Sequence, residues 1–311
     1  MIACPLCGGA AAAAFTTRDR NRAISAEPFR YRYCLRCRSL HLENVPADLG
    51  AYYPDDYFSL PDLAGLRAQA LPERWRMELV AAHAGPPGRL TEIGPGNGIF
   101  AVQALDAGFE TVVVEVDERA CAYLRDTVGV EAVRSAAPEE ALATLPSSRV
   151  VAAWHVVEHV PRPWQLLDAA ARNLQPGCVL VIATPNPRAF GLRALGGRWP
   201  HVDAPRHLFL LDHEALIARA AAAGLELVAL TDRDLGGLHW NAFAWHYALR
   251  RPGCSLNRDK AAHLGGRIIA RALAPVERRG LRGAAYTAVF RKRGAGGGAA
   301  GARSNTSSSV S

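Results

Sequence analysis

The stretch that decides the fold is "LTEIGPGNGIF" (residues 90–100), in which an apolar run leads into a loop with three glycines. Gly94, Gly96 and Gly98 occupy every second position, and Glu92 lies two residues before the first of them. A dinucleotide-binding loop has the spacing G-x-G-x-x-G, which here would need its third glycine one residue later. The loop therefore lacks a pyrophosphate cradle, but its backbone can approach a small, partly charged ligand closely.

Short apolar runs and alanine-rich stretches alternate from this region onward. The strand candidates are "RLTEI", "TVVVEV", "EAVR", "RVVAAW" and "VLVIAT", and stretches such as "GIFAVQALDAG" and "PWQLLDAAARNL" are the helix candidates. Regular succession of strand and helix predicts an α/β fold, with a mainly parallel sheet covered by helices on both faces. Ligands of such sheets bind at the carboxyl ends of the strands, where the strand order reverses.

Glu115 ends the second of these strands, in "VVVEVD". An acidic side chain at that place can accept hydrogen bonds from both hydroxyls of a ribose. "EIGPGNG" together with "VVVEVD" resembles the S-adenosylmethionine site of class I methyltransferases, over roughly residues 75–293. The resemblance, to the methyltransferase-23-like branch, implies a doubly wound, seven-stranded Rossmann-like sheet.

The same resemblance implies which residues contact the cofactor. The implied cofactor residues are Glu92, Gly94, Gly96, Gly98, Glu115, Ala136, Ala137, Trp154 and His155. In such a site the glycine backbone packs against the methionine part, Glu92 orders the loop and Glu115 holds the ribose. The adenine is expected near Ala136 and Ala137, and the residues that follow the fourth strand are expected beside the cofactor.

Four of the seven cysteines form two pairs of equal spacing, Cys4-x2-Cys7 and Cys34-x2-Cys37. Such knuckles turn backbone amides toward the sulfurs and predict a closed, structural zinc site. The 26 residues between the pairs exceed the usual spacing of about 15–20. A disulfide pair and redox thiols remain the alternatives. This first unit resembles the short zinc ribbon that precedes some bacterial methyltransferase domains.

The expected organisation has four parts. They are a zinc ribbon over 1–45, an aromatic connector over 46–74, the methyltransferase domain over 75–293 with a basic insertion at about 235–283, and a tail over 294–311. The tail is rich in glycine and serine and has no apolar period, so it is predicted to be disordered.

Positive charge is concentrated near the C-terminus. From His239 onward there are 13 Lys and Arg residues against two acids, whereas the whole chain has a net charge of +7. This excess predicts an anionic partner, such as a phosphate, a lipid headgroup or RNA, unless it is only a solvated arginine-rich surface. No apolar stretch is long enough to predict a transmembrane segment. The N-terminus lacks a basic signal region, so a cytoplasmic location is expected.

"AAWHVVEHVPRP" contains three polar residues with the spacing of an inverted zinc-protease motif, His155, Glu158 and His159. They are predicted to share one face of a helical turn. Pro161 and Pro163 would end that turn at once, which disfavours a catalytic zinc. The block also resembles the one after the fourth strand of class I methyltransferases, which implies that Glu158 and His159 line the mouth of the substrate pocket. A weak divalent-metal site, or a pair that only fixes the turn, remains an alternative.

"WPHVDAPRHLFLLDHEAL" follows the fifth strand and resembles the substrate-covering segment of the same family. In sugar-methylating relatives a histidine here is the general base, which implies this role for His207, with His159 and Glu158 as further catalytic candidates. Asp203 and Arg206 are the expected substrate residues, the arginine for a phosphate or carboxylate. The alternative is a structural histidine that caps the lid.

The expected function is therefore S-adenosylmethionine-dependent methyl transfer to a small molecule. A sugar or nucleotide-linked metabolite that carries phosphate is the expected acceptor, and a histidine takes its proton. One alternative is an RNA base methyltransferase that uses the ribbon and the basic C-terminus, although the sequence lacks an Asn/Asp-Pro-Pro-Tyr block. The other is a non-catalytic binding module.

Overall fold

The computed structural model describes residues 1–54, 56–250 and 256–294. Within them, twelve strands form two sheets. The strands are β1 (Ile2–Ala3), β2 (Ala10–Thr17), β3 (Phe29–Cys34), β4 (Leu40–Leu42), β5 (Arg89–Ile93), β6 (Glu110–Glu115), β7 (Glu131–Arg134), β8 (Ser148–Trp154), β9 (Leu174–Pro185), β10 (Phe209–Leu210), β11 (Leu225–Thr231) and β12 (Ala285–Lys292).

The α-helices alternate with the strands of the larger sheet. They are α1 (Leu63–Ala70), α2 (Trp75–Ala84), α3 (Ile99–Asp106), α4 (Glu118–Tyr123), α5 (Pro138–Thr144), α6 (Pro163–Asn173), α7 (Phe190–Leu195), α8 (His213–Ala222), α9 (Leu235–Leu249) and α10 (Leu256–Glu277). Nearly all of the predicted disordered tail, and Cys254 of the basic insertion, lie outside the described residues.

The larger sheet has seven strands in the order β11-β12-β9-β8-β5-β6-β7. The strands β5 to β9 run parallel, and β12 is antiparallel to both β9 and β11. Alternate residues of β8 face opposite helical layers: Val150 and Ala152 pack with α2 and α3, whereas Val151 and Ala153 pack with α6 and α8. Both faces are thus covered, and the predicted doubly wound, seven-stranded sheet is confirmed.

The strand order reverses next to β5, which has β6 on one side and β8 on the other. The chain continues to β7 in one direction and to β9 in the other, so a crevice opens at the carboxyl ends of β5 and β8. The two loops that follow these strands touch each other. A Cβ atom added to Gly94 would lie 2.6 Å from Cγ2 of Val156.

The smaller sheet has the order β1-β2-β3-β4-β10. Its first four strands belong to the predicted ribbon, but β10 comes from the segment after α7, more than 160 residues along the chain. Phe209 pairs with His41, and Leu210 pairs with Leu40. A strand of the predicted substrate-covering segment therefore completes the sheet of the ribbon.

The basic insertion forms two packed helices, α9 and α10, between β11 and β12. Asp234 caps α9, because its side chain accepts a hydrogen bond from the amide of Gly237 at 2.6 Å. In the part of the chain that the structure describes, no helix has both the length and the apolarity needed to cross a membrane.

Candidate functional site

The glycine loop is shaped by backbone conformations that side chains rarely adopt. Gly94, Gly96 and Gly98 have φ values of +61°, +57° and +83°. A Cβ atom on Gly96 would lie 2.9 Å from Cε1 of Phe58, and one on Gly98 would lie 2.7 Å from Leu124. Side chains of the protein therefore pack closely against the loop where the glycines lack a Cβ atom, and the ring of Phe58 lies against Gly96.

The two predicted acids flank this loop and are almost fully buried. Burial raises the pKa of Glu92 to about 8, although the amide of Ala101 donates to its carboxylate from the first turn of α3. Burial also raises the pKa of Glu115, although three backbone amides donate hydrogen bonds to its carboxylate and lower the pKa in part. One of these donors is the amide of Gly96, 3.2 Å from Oε2. Both acids are therefore bonded to the loop or to the helix that follows it.

The aromatic connector covers the loop from the outside. Phe58 and Tyr57 pack with ring centroids 4.9 Å apart, and Tyr57 lies at the same distance from Tyr53. The hydroxyl of Tyr53 is 3.0 Å from Nδ1 of His159. A continuous line of rings thus joins the glycine loop to the predicted catalytic histidines. The sequence analysis does not predict these contacts, although the dense aromatic run "YYPDDYF" indicates that this segment packs against the rest of the protein.

The prediction that residues 155–159 form a helical turn is wrong, although His155 and His159 both lie close to Glu158. His155 has a left-handed backbone with φ of +56°, and the segment is an irregular turn. The carbonyl of Glu158 accepts hydrogen bonds from the amides of Leu208 and Phe209, at 2.8 and 3.2 Å. The turn is therefore held by strand-like contacts to the substrate-covering segment, which a local helix prediction does not include.

The Glu158 side chain is completely buried beneath three imidazoles. Its Oε2 accepts a hydrogen bond from Thr184, and its Oε1 lies 3.5 Å from Nδ1 of His155. Burial raises the pKa of Glu158, but the neighbouring histidines outweigh it and lower the pKa to about 2. The carboxylate is thus ionised in a site closed to water, where it favours positive charge on an adjacent imidazole.

The rings of His159 and His207 contact each other, with centroids 4.6 Å apart. Burial and the proximity of His207 lower the pKa of His159 to about 4. Nδ1 of His207 lies 2.9 Å from the carbonyl oxygen of His201. A nitrogen that faces a carbonyl carries its proton, so the Nε2 atom of a neutral His207 is the one with the free lone pair.

Glu158, His159 and His207 each offer one ligand atom, and these three atoms lie within 4.8 Å of one another. The structure therefore brings together the three residues predicted for catalysis. The same arrangement can hold a metal ion as well as exchange a proton, because one carboxylate and two imidazoles are common metal ligands.

The expectation that Arg206 binds an anion of the substrate is not supported by its surroundings. The residue is 1% exposed, and its guanidinium pairs with both Asp19 and Asp203, each at 2.7 Å. A further contact goes to the carbonyl of Tyr52 at 3.3 Å. Two carboxylates neutralise this cation, so it joins the ribbon to the substrate-covering segment. Asp203 keeps a place at the cavity described below.

Trp154 does not point toward the expected cofactor position. Its ring is 6% exposed and packs edge-on against Trp75 and Phe100, with centroids 5.5 and 5.3 Å away. The alternation of β8 directs this side chain into the layer of α2 and α3, so only its backbone lies near the crevice. The next residue, His155, lies at the crevice, and its ring centroid is 5.5 Å from that of Trp240.

Ala136 and Ala137 follow β7, at the same edge of the sheet as the glycine loop. The amide of Ala137 donates to Oγ of Ser135 at 3.1 Å, and Ala137 is the residue before α5. The two alanines therefore lie at the carboxyl end of β7, and their contact with the adenine stays a prediction.

A cavity of about 230 Å³ lies between the ribbon, the connector, the substrate-covering segment and α9. Its lining residues are Asn21, Arg22, Tyr57, Pro200, His201, Asp203, Arg206, Trp240 and Phe243. Trp240 also contacts His155, so the cavity adjoins the histidine cluster. The sequence did not predict Arg22, Trp240 or Phe243, because Arg22 lies on a ribbon loop and the two aromatic residues lie on α9, far along the chain.

The four predicted cysteines converge in the ribbon. Sγ of Cys4 lies 3.8 Å from that of Cys37, and Sγ of Cys7 lies 3.4 Å from that of Cys34. Tetrahedral zinc with bonds of about 2.3 Å separates its sulfurs by about 3.8 Å. The amides of Gly9 and Cys37 donate to the sulfurs of Cys7 and Cys34, both at 3.4 Å. The arrangement fits a closed zinc site.

Comparison with known families identifies the larger domain. A family model described as "Methyltransferase domain" matches residues 66–230, which is more than half of the chain. The chain belongs to this methyltransferase family. With the fold and the glycine loop, this makes it a class I S-adenosylmethionine-dependent methyltransferase, and the alternative of a non-catalytic module is wrong.

Curated relatives of this methyltransferase carry the name ubiquinone biosynthesis O-methyltransferase. That of Bordetella avium (strain 197N) is 27% identical over 186 residues, which cover 56% of this chain and 74% of the relative. That of Saccharophagus degradans is 25% identical over 214 residues, which cover 65% and 85%. For the protein of that name from Hahella chejuensis, the match covers 58% of the relative's length.

Two solved structures share the fold of this methyltransferase, each with a TM-score of 0.51. One is phospholethanolamine N-methyltransferase 2 from Haemonchus contortus, 13% identical, with 90% of this chain and 71% of that one covered. The other is a putative sarcosine dimethylglycine methyltransferase from Galdieria sulphuraria, 12% identical, with 76% and 95% covered. At these identities the similarity concerns the fold.

Proposed function

We propose that this methyltransferase methylates a hydroxyl oxygen of a small, ring-bearing molecule, and that His207 receives the proton of that hydroxyl. The observation that carries the proposal is the fixed orientation of His207 between the carbonyl of His201 and the pair of His159 and Glu158. The relatives named as O-methyltransferases support oxygen as the acceptor atom. A sugar or nucleotide-linked metabolite, the acceptor expected from the sequence, falls within this class.

The residues at the crevice fit the cofactor. The bound S-adenosylmethionine would supply a methyl group that is already activated by a positively charged sulfur. Gly94, Gly96 and Gly98 would hold its methionine part with their backbone, since their positive φ values shape the loop in a way that other residues rarely allow. Glu115 would exchange its bonds to the backbone amides for the ribose hydroxyls.

Electrostatics disfavours His159 as the base. A pKa of about 4 means that His159 would hold a transferred proton poorly at neutral pH. The ionised carboxylate of Glu158 lies within 4.8 Å of both imidazoles and would stabilise the imidazolium that forms when the acceptor loses its proton. His159 is hydrogen-bonded to Tyr53 and to the carbonyl of Arg206, and it would keep the imidazole of His207 in position.

We also propose that Cys4, Cys7, Cys34 and Cys37 hold a structural zinc ion. The sulfur separations and the two amide donors to sulfur support this assignment. The four thiolates would complete the coordination of the metal, so its role would be to fix the ribbon.

RNA remains a second candidate acceptor, because one observation favours it. A groove of about 770 Å³ beside α10 is lined by Arg267, Arg271 and Arg278. It lies on the side of α9 that carries Leu238 and Asn241, opposite the side that carries the cavity residues. Labelling with radioactive cofactor in cell extract, with and without nuclease treatment, separates an RNA acceptor from a metabolite and identifies the product.

The test of the base uses His207→Asn, because the asparagine amide can still donate to the carbonyl of His201. With the acceptor identified in this way, kcat should fall by about 10²–10⁴-fold, while S-adenosylhomocysteine binds as tightly as to the native protein. The native rate should rise with pH, because only the neutral imidazole accepts a proton. The control His83→Asn, at the end of α2, should behave like the native protein.

Two results would count against His207 as the base. A rate for His207→Asn within a few-fold of the native rate would reduce this histidine to a structural role. A native rate that requires added Mg²⁺ or Mn²⁺ would make Glu158, His159 and His207 a metal site instead.

A further inference from the structure

We infer that Arg22, on the loop between β2 and β3 of the ribbon, binds an anionic substituent of the acceptor, a phosphate or a carboxylate, while the acceptor ring stacks in the cavity against Trp240 and Phe243. The inference rests on the proposed function and deepens it, because it names the class of acceptor. It also makes the ribbon part of the substrate site and gives it a role beyond carrying a metal.

The walls of the cavity suit a single ring. Trp240 stands at right angles to His201, with centroids 5.1 Å apart, and nearly at right angles to Phe243 at 6.0 Å. Such aromatic walls bind flat or ring-shaped groups by their faces and edges. The volume of about 230 Å³ is below the roughly 300–1,000 Å³ of pockets for drug-sized ligands, so it fits one ring with its substituent.

The cavity lies beside the catalytic cluster. His201 forms one of its walls, and the carbonyl of this residue holds Nδ1 of His207. The ring centroids of Trp240 and His155 are 5.5 Å apart. Tyr57 packs against Tyr53, whose hydroxyl is hydrogen-bonded to His159. A ring bound here would therefore have one edge toward the histidines and another toward the ribbon loop.

Of the two arginines that line the cavity, only Arg22 is available to an anion. Arg206 is buried between two carboxylates. The guanidinium of Arg22 lies 4.5 Å from the ring of Tyr57, and Nη2 donates to the carbonyl of that residue at 3.3 Å. Its acidic contact, Asp56, is 3.9 Å away with a side chain 87% exposed, so solvent screens this pair. A guanidinium has five donors, enough for a two-point bond to phosphate or carboxylate in addition.

The loop that carries Arg22 is held in place from both ends. The carboxylate of Asp19 accepts from the amides of Arg22 and Ile24, at 3.2 and 3.0 Å, while it pairs with Arg206. The side-chain amide of Asn21 donates to the carbonyl of Pro200 at 2.9 Å. The loop is thus ordered before any ligand arrives, which reduces the entropy that anion binding would cost.

The test compares probes that share a ring and differ in charge, in titrations followed by ligand-observed NMR. The first set is glucose 1-phosphate, glucuronate and glucose; the second is phenyl phosphate and phenol. The native protein should bind the charged members at least about tenfold more tightly than the neutral ones. Arg22→Ala should remove this difference, whereas Arg18→Ala, four residues earlier and not part of the cavity lining, should keep it. The two sets report whether a sugar or a flat ring is preferred, and the first set distinguishes phosphate from carboxylate.

Trp240→Leu separates stacking from charge, because it should weaken charged and neutral probes by the same factor. A native protein that does not prefer the charged probes, or an Arg22→Ala variant that retains the preference, would overturn the inference. Titration of the same samples with S-adenosylhomocysteine reports on the cofactor site independently. Failure of the His207 experiment with an intact charge preference would overturn the proposed base and leave the anion site standing.

Discussion

The two sides of the crevice are built in different ways. The cofactor side consists of the turns that follow β5 and β6, and its glycines and acids lie within 24 consecutive residues. The acceptor side combines a ribbon loop, an aromatic connector, the turn after β8, the segment around β10 and the start of α9. Apart from the connector ring of Phe58 over Gly96, the cofactor side is built from the methyltransferase sheet, whereas the acceptor side depends on the ribbon.

This difference assigns separate tasks to the two sheets. Backbone bonds and a buried ion pair join the ribbon to the segment that carries His207. The hydroxyl of Tyr31 donates to the carbonyl of His207 at 2.6 Å, and the amide of Leu42 donates to that of Leu208 at 2.8 Å. Damage to the ribbon should therefore affect the acceptor and the catalytic base while the cofactor still binds.

The largest effect is expected from Gly96→Val, which should break the cofactor side alone. A branched side chain at φ of +57° is strained, and its Cβ atom would lie 2.9 Å from the ring of Phe58. We expect loss of S-adenosylhomocysteine binding, by more than about 100-fold, in calorimetric titrations. Glucose 1-phosphate is titrated in the same samples, and its affinity should fall far less, because the displaced ring of Phe58 reaches the cavity lining through Tyr57. Native affinity for the cofactor product would contradict the assignment of this loop.

A smaller effect, on the opposite side, is expected from Asp19→Asn. This change leaves the buried guanidinium of Arg206 with one carboxylate, Asp203, in place of two. Removal of one partner of a buried ion pair typically costs about 3–5 kcal/mol, and the remaining partner should limit the loss to about 2–3 kcal/mol of unfolding free energy. Asp126→Asn, an exposed change next to α4, is the matched control.

Denaturant unfolding measures the stability of both aspartate variants, and cofactor titration completes the test. Asp19→Asn should bind S-adenosylhomocysteine like the native protein. A variant with native stability would show that the ion pair contributes little, and a variant with impaired cofactor binding would show that the two sides are not separate.

The smallest effect is expected from Glu115→Ala on the cofactor side. Loss of hydrogen bonds to a charged group weakens binding by about 1–3 kcal/mol. In this protein the carboxylate also bonds the amides of Val116 and Asp117, at 2.8 and 3.0 Å, so part of the loss would come from a less ordered loop. Glu115→Gln should recover some of the affinity. Calorimetry that finds both variants unchanged would remove this residue from the ribose site.

The sequence predicted what is local. The spacing of Gly94, Gly96 and Gly98, the acid at the end of β6 and the alternation of strands and helices are all patterns within short windows, and the sheet that they indicate is present. The cap of α8 is equally local, since the side chain of Asp212 accepts a hydrogen bond from the amide of Glu214 at 3.0 Å. Such features follow from backbone and capping preferences of adjacent residues.

The sequence did not predict pairings between distant segments. Nothing near Arg206 indicates that Asp19 occupies its guanidinium, because the two residues are 187 positions apart. The pairing of β10 with β4 and the packing of Phe58 over Gly96 also join segments that are distant in the sequence. The spacing of the polar residues from His155 to His159 has a helical period and predicts a helical turn. The conformation of this turn is instead set by hydrogen bonds from the segment around β10 to the carbonyl of Glu158.

The central claim is that the ribbon orders the acceptor side and leaves the cofactor side independent. Hydrogen–deuterium exchange on Cys37→Ser, compared with the native protein, tests it without any acceptor. We predict that peptides covering residues 206–212 lose protection, because β10 pairs with the ribbon strand β4 and the amide of Asp212 donates to Ser39 at 2.9 Å. Peptides from β5 and β6 should keep native protection. Native protection of residues 206–212 in a variant whose ribbon exchanges freely would contradict the account.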